Sequence, residues 1–319
     1  MINKVPNCPV AMSSSQICLI DYRTGRLFPS APEGTVLYSS ASAGWRGIMV
    51  EFHRIPSTEF PQHYIEGHRL MVHIGAPTIF EWKEGNKWRQ TRLQVGDFCL
   101  QSHGEINTPR WHNPLEILAI ALDPEFVNQI FHDTKAPDKI AFQQQRGGFD
   151  PVIAQFATRM SRELESGYGG VLYSESMGLA FALHLLEQYS DRTVNLTRPR
   201  GKLSSVQLRQ VLDFIHDHLT GELNLVDLAA QANLSAYHFA RLFKQSIGLT
   251  PHQYVLQNRV ERAKRLIEIS GNPTLTDIGF QVGFYDQAHF TKAFKQLVGV
   301  SPKAFAKAIS TSDNFADAN

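Results

Sequence analysis

Between residues 36 and 122 the apolar positions come in short runs, GIMVEF, RLMVHIG, TIFEW, DFCL and EILAIAL, broken by Gly, Pro, Asn and Asp. Runs of four to eight apolar or alternating residues bounded by turn formers read as strands, and their even spacing predicts an antiparallel barrel or sandwich. After Asp123-Pro124 the period changes. EFVNQIF, PVIAQFATRMSRELES and YSESMGLAFALHLLEQY carry apolar residues at helical spacing, as helices do that either complete the β core or meet a second copy of the chain. The stretch SDRTVNLTRPRGKL then lacks any apolar face and reads as a linker.

Beyond it the pattern is helical almost throughout. Ser204 or Ser205 can cap VLDFIHDHL, Asn224 with Asp227 can cap LVDLAAQAN, Ser235 can cap the next helix, and Thr250 precedes a Pro251 suited to a first helical position. The predicted organisation is α+β. A β-rich domain with following helices fills residues 1–190, a linker 191–202, an all-α domain 203–309 and a flexible tail 310–319.

The helical domain repeats itself. LVDLAAQANLSAYHFARLFKQSIGLTPHQY falls on LTDIGFQVGFYDQAHFTKAFKQLVGVSPKAF: Asp227 meets Asp277, Gln231 meets Gln281 and, after one inserted residue, Phe239, Phe243, Lys244, Gly248 and Pro251 meet Phe290, Phe294, Lys295, Gly299 and Pro302. Each unit is a short amphipathic helix, a tight turn, a second helix and a terminating Gly, which is the pattern of a helix-turn-helix. Phe239, Leu242 and Phe243 share one face of the first unit's second helix. Tyr237, Ala240, Arg241 and Lys244 are expected on the other, with Ala236 at the helix start. In the second unit Phe290, Ala293 and Phe294 face inward, leaving Asp286, Gln287, His289, Lys292 and Lys295 as the corresponding DNA-contact set. The intervening HQYVLQNRVERAKRLIEIS, at 1.5 Å per residue, spans about 27 Å as a helix, and neighbouring major-groove segments on one face of B-DNA lie about 34 Å apart. Two readers joined in this way suit adjacent grooves.

Composition adds three constraints. With 319 residues, 43% of them hydrophobic, the chain can bury two cores. Net charge is only +1, but 200–309 holds 13 Lys and Arg against 8 Asp and Glu, so the basic excess sits where the repeat is. Cys8, Cys18 and Cys99 form no CxxC pair and are odd in number, which speaks against a disulfide framework. With no signal-like or membrane-length apolar run, a cytoplasmic protein is expected.

LVDLAAQAN, SAYHFARLFKQSIGLTPHQY, RVERA (259–263) and GFYDQAHFTKAFKQLVGVSP together closely resemble the C-terminal domain of AraC/XylS-type bacterial regulators. The resemblance covers about a third of the chain. It implies a transcription regulator, an effector-responsive activator working with RNA polymerase, whose domain inserts two recognition helices into double-stranded DNA as a monomer. A homodimer through the front domain and the helices between about 149 and 189 is expected because paired half-sites raise specificity. Three positions depart from the family pattern: Gly279 replaces the usual Ala, which is expected to loosen its helix; Ala240 replaces a longer polar residue; and Phe305-Ala306 replaces Tyr-Arg. More weakly, Pro61-Gln62-His63, Gly96-Asp97 and His103-Gly104 resemble a cupin-like sensor domain. The alternative is a metal-dependent cupin enzyme with a DNA-binding appendage, using His63, Glu66, His68, His103 and His112. Their spacing opposes it, since His63 and His68 face opposite sides of a strand and no His-x-His pair occurs. No catalysis, metal or cofactor is therefore expected. The favoured alternative is a barrel interior in which Phe52, His63, Phe80, Trp82, Phe98 and Trp111 hold a small effector.

Overall fold

The computed structural model describes residues 16–65, 67–123, 126, 142–166, 170–190, 201–269 and 274–316. Glu66, most of EFVNQIF and most of the expected linker lie outside the described residues. The chain divides into two compact units: Met1–Glu165 with Met177–Thr197, and Ser166–Ser176 with Arg198–Asn319.

The first unit is built from antiparallel sheets. Six strands lie in the order β14 (Gln145–Phe149), β10 (Asp97–Gln101), β7 (His68–His73), β13 (Leu115–Leu122), β4 (Ile48–Ile55) and β3 (Val36–Ser39). Two four-stranded sheets accompany them: β11 (Gly104–Ile106), β6 (His63–Ile65), β1 (Cys18–Asp21) and β2 (Leu27–Pro29), and β5 (Thr58–Glu59), β12 (Pro109–Trp111), β8 (Thr78–Glu84) and β9 (Lys87–Leu93). β13 pairs with β4 from Leu115↔Ile55 to Leu122↔Ile48. Both strands are largely buried on both faces, so EILAIAL reads as a continuous apolar run instead of an alternating one. One face packs Ile55, Leu115 and Ile117 against Phe80, Leu93 and Trp111.

Helices cover the other face. Phe98 of β10 meets Tyr189 edge-on at 5.4 Å, and Gly178 comes so close to the sheet that a Cβ there would lie 3.5 Å from Ile48. These residues belong to β10, β4 and α2 (Val171–Tyr189), which with α1 (Pro151–Ser166) supplies the expected helix pair. Asp150 holds the two helices together. Its carboxylate accepts the backbone N–H of Val152 and Ile153 at the start of α1, and Tyr189 Oη and His184 Nε2 at 2.8 Å from α2. Burial would raise its pKa, but these hydrogen bonds outweigh that and hold it below the ordinary value. α2 is mostly buried, and the exposed face of α1 carries Gln155, Thr158, Arg159 and Arg162. Phe149 and Val152, at the start of the 149–189 segment, are exposed as well.

The second unit contains the repeat. Its helices are α3 (Ser205–Asp217), α4 (Leu225–Gln231), α5 (Ala236–Ile247), α6 (Pro251–Ile269), α7 (Leu275–Gln281), α8 (Gln287–Val298) and α9 (Pro302–Ala316). The expected caps are present. Ser204 forms a capping box with Gln207, Asn224 accepts from Asp227 N, Ser235 accepts from His238 N, and Thr250 exchanges hydrogen bonds with Gln253 ahead of Pro251. Gly248 and Gly299 end α5 and α8 in the left-handed conformation, φ 86 and 90. α9 runs to Ala316 where a tail was expected from residue 310, since its first residues continue an apolar stripe: Phe305, Ala306 and Ile309 pack on the second motif's core.

Candidate functional site

Two helix-turn-helix motifs stand on one scaffold. In each, a seven-residue helix leads through a turn into a twelve-residue helix, α4 to α5 and α7 to α8. The turns pass through a left-handed residue at matching places, Asn233 with φ 53 and Gly283 with φ 93. Fully buried Phe239 and Phe243 anchor α5, and Phe290 and Phe294 anchor α8, with ring centroids 5.4 and 5.6 Å apart. The repeated sequence thus buries the same face of both second helices and turns the same face away from the core.

Arg259 of α6 ties the motifs together. Its Nε donates to Leu219 O at 2.9 Å and its Nη2 to Gly221 O at 2.7 Å, fastening the linker helix to the segment that follows α3. Burial lowers its pKa to about 10, so it keeps its charge at neutral pH. The turn of the second motif lies beside this clip: a Cβ on Gly283 would stand 2.7 Å from Leu219 O and 3.0 Å from Arg259 Nε. The sequence marks Arg259 only through its place in RVERA.

Of the expected DNA-contact residues, Lys244, Gln287, Lys292 and Lys295 are exposed, and Ala240 and Arg241 are half-buried. Arg241 Nε has no hydrogen-bond partner. The outward placement of two residues needs correction. Ala236 and Tyr237 are buried, Tyr237 to 4% exposure, with its ring tilted against His238; at the start of α5 the turn and the preceding helix cover positions that helical spacing alone leaves outside. Asp286 is the N-cap of α8, accepting His289 N at 2.7 Å. His289 is half-buried and packs edge-on against Phe284 at 5.0 Å, and burial pushes its pKa down to about 4. Gly279 sits within α7. A Cβ there would meet Phe290 Cβ at 3.2 Å, so its absence lets the two helices pack closely. Tyr285, which the sequence reading did not single out, is 78% exposed just ahead of α8. It falls where the second unit carries its extra residue, and that insertion was the available signal.

The first unit contains a partly open cavity of about 30 Å³. Three expected residues line it, His63, Phe80 and Trp111, beside Phe60, Arg69 and Gln101. Three others do not. Phe98 belongs to the helix-facing side of β10. Phe52 stacks on Tyr38 at 6.1 Å, on the side of β4 opposite to Ile55. Trp82 lies beyond Phe80 under the Arg146 guanidinium, 5.1 Å from its ring. The histidines are dispersed: His63 Nδ1 donates to Pro61 O, His112 pairs with Glu81, and His68 packs on Phe142. Among the described residues no group of three His, Cys, Asp or Glu is placed to hold a metal ion, and no helix is long and apolar enough to cross a membrane.

A scaffold that presents two second helices from paired helix-turn-helix motifs defines the second unit as a DNA-binding domain. A helix-turn-helix domain family matches residues 228–308. Relatives include the MmsAB operon regulatory protein of Pseudomonas aeruginosa, 26% identical over 247 residues and 76% of each chain. The probable transcriptional regulator LumQ of Photobacterium leiognathi is 35% identical over 33% of this chain and 42% of its own. The arabinose operon regulatory protein of Escherichia coli is 28% identical over 47% of this chain and 50% of its own. Apart from the first, the chain spans about half or less of these relatives. The crystallised DNA-binding domain of AdpA in complex with a target DNA is 29% identical, with 34% of this chain and 96% of that one covered and a TM-score of 0.33. The second unit is similar to the C-terminal DNA-binding domains of AraC-type transcription regulators.

Proposed function

We propose that the protein is an effector-responsive activator whose first unit is a cupin-like sensor and whose second unit reads two adjacent major grooves with α5 and α8. The observation that carries the second part is the duplicated motif itself, with equivalent outward faces bearing Arg241 and Lys244 on α5 and Lys292 and Lys295 on α8. Arg241, held half-buried with Nε unpartnered, suits a bidentate contact to a guanine, and Lys292 occupies the matching position. Lys244 and Lys295, one turn further along, suit phosphates. Gln287 and the exposed ring of Tyr285 add sugar or base contacts at the second reader, while Ala240 leaves a short side chain at the first. RNA polymerase is the partner through which a DNA-bound activator acts, and pairing of two chains would raise site specificity through effective concentration.

The test is to select the genomic fragments the full chain retains and then measure affinity on cognate and scrambled duplexes at several salt concentrations. Arg241→Ala and Lys292→Ala should each cost about 1–3 kcal/mol on the cognate duplex and relax preference at one or two base pairs. Lys244→Ala and Lys295→Ala should weaken all duplexes alike and flatten the salt dependence by about one unit. Unchanged cognate affinity in both of the first pair would remove α5 and α8 as readers.

A further inference from the structure

The cavity of the first unit contains a cation without a hydrogen-bonded partner. Arg69 lies on β7 and is 5% exposed, lines the cavity, and its Nε has no hydrogen-bond partner. A buried guanidinium lacking acceptors is costly, because its donors have lost water and gained nothing in return. Glu51, also buried, acts on it only through space, since its carboxylate accepts Ile17 N at 3.0 Å and His53 Nε2 at 2.8 Å. Two more orphaned polar atoms line the same cavity: Gln101 Oε1, from the residue that pairs with Arg69 across β10 and β7, and Ser30 Oγ.

The rest of the wall is apolar and flat. Trp111 is stacked with Phe80 at 6.2 Å and 12°, and with Phe60 at 6.2 Å and 22°. His63 gives its Nδ1 proton to Pro61 O, and burial lowers its pKa to about 4, so it adds no positive charge. A sugar would need many polar partners, and a phosphate dianion more than one cation. The cavity offers one cation and an aromatic wall.

Resting on the reading of the first unit as a sensor, we infer that its effector is a small monocarboxylate with a flat apolar body, the carboxylate bound by Arg69 and the body lying along Trp111, Phe60 and Phe80. The guanidinium fork matches two carboxylate oxygens and supplies the missing acceptors. Gln101, which pairs with Arg69 across β10 and β7, flanks that end.

The full chain is titrated with phenylacetate and cinnamate, and with phenylacetamide and cinnamamide as uncharged counterparts, following tryptophan fluorescence and thermal unfolding. At least one carboxylate is expected to bind at least tenfold more tightly than its amide. Arg69→Met should erase that preference while the chain stays folded, because the substitution removes an unpaired buried charge. Arg69→Lys, which keeps the charge and loses the fork, should retain part of it. Equal binding of acid and amide, an unaltered preference in Arg69→Met, or no response to either acid at 10 mM (on the order of the weakest useful small-ligand affinities) overturns the inference. DNA affinity is measured in parallel with and without the acids. Carboxylate binding that changes neither DNA affinity nor transcription by RNA polymerase from a retained fragment supports the ligand class and overturns the sensor reading, whereas absent binding with intact DNA affinity overturns the ligand class alone.

Discussion

Gly283 shows how much a single residue can fix. Its φ of 93 favours glycine, and a Cβ would stand 2.7 Å from a backbone oxygen that cannot move aside. Gly248 has a similar φ, 86, with nothing within 4 Å of a would-be Cβ. Gly248→Ala is therefore expected to cost about 1 kcal/mol, from backbone strain alone, and Gly283→Ala clearly more, on the order of 3 kcal/mol. Urea unfolding of the two variants checks this, and equal losses would show that the turn yields. The sequence marked both glycines as helix or turn punctuation but could not separate them, because the difference lies in Leu219 O, sixty-four residues away. Arg69 was unreadable for a similar reason. In RLMVHIG it looks like an arginine at the start of a strand, and only the closing of the sheets over it makes it a buried charge.

Among the elements, helix boundaries were the most legible part of the chain, since caps and terminating glycines act within one turn and are written locally. Faces were less so. Helical spacing placed Phe239, Phe243, Phe290 and Phe294 inward, as the structure has them, but left Tyr237 outward because it sees only its own helix and not the turn that covers the helix start. In the first unit the strands were readable and their register was not, so Phe98 and Phe52 were placed in an interior they do not face. Two expectations belong to this scale. Asp286→Ala removes the cap of α8 and should cost about 1 kcal/mol, with affinity lost at the second reader's base pairs and the first reader's preference unchanged, as base-by-base substitution of the duplex would show. Arg259→Met withdraws charged donors from two carbonyls and should cost about 2 kcal/mol in thermal unfolding. A loss below about 0.5 kcal/mol, the usual size of a surface substitution, would mean the clip holds nothing.

In the molecule as a whole, acid sensitivity follows from three histidines. Burial pushes the pKa of His63, His68 and His289 down to about 4, against about 6.5 in an unfolded chain. Between those values the unfolded chain binds more protons, so this contribution to stability is full above pH 6.5 and lost as pH falls toward 4. The melting temperature should stay level from pH 8 to 7 and decline from pH 6.5 to 4.5. His289→Gln should reduce the decline, and a profile that is flat across this range would contradict the burial of these rings. Duplication was the whole-molecule feature that the sequence displayed openly, because both copies keep their pattern at nearly fixed offset.

The clip at Arg259 bears on how target sites are spaced. If α6, the segment after α3 and the turn at Gly283 move as one piece, the chain is a calliper of fixed opening. One base pair inserted between the two contacted segments turns the second by about 34° around the duplex axis, and a full turn moves it about 34 Å along. A loosely tethered pair of readers would lose affinity after a five-base-pair insertion and regain it after ten or eleven. A fixed calliper loses it in both cases, and the operator sequences of this protein should accordingly show a single spacing.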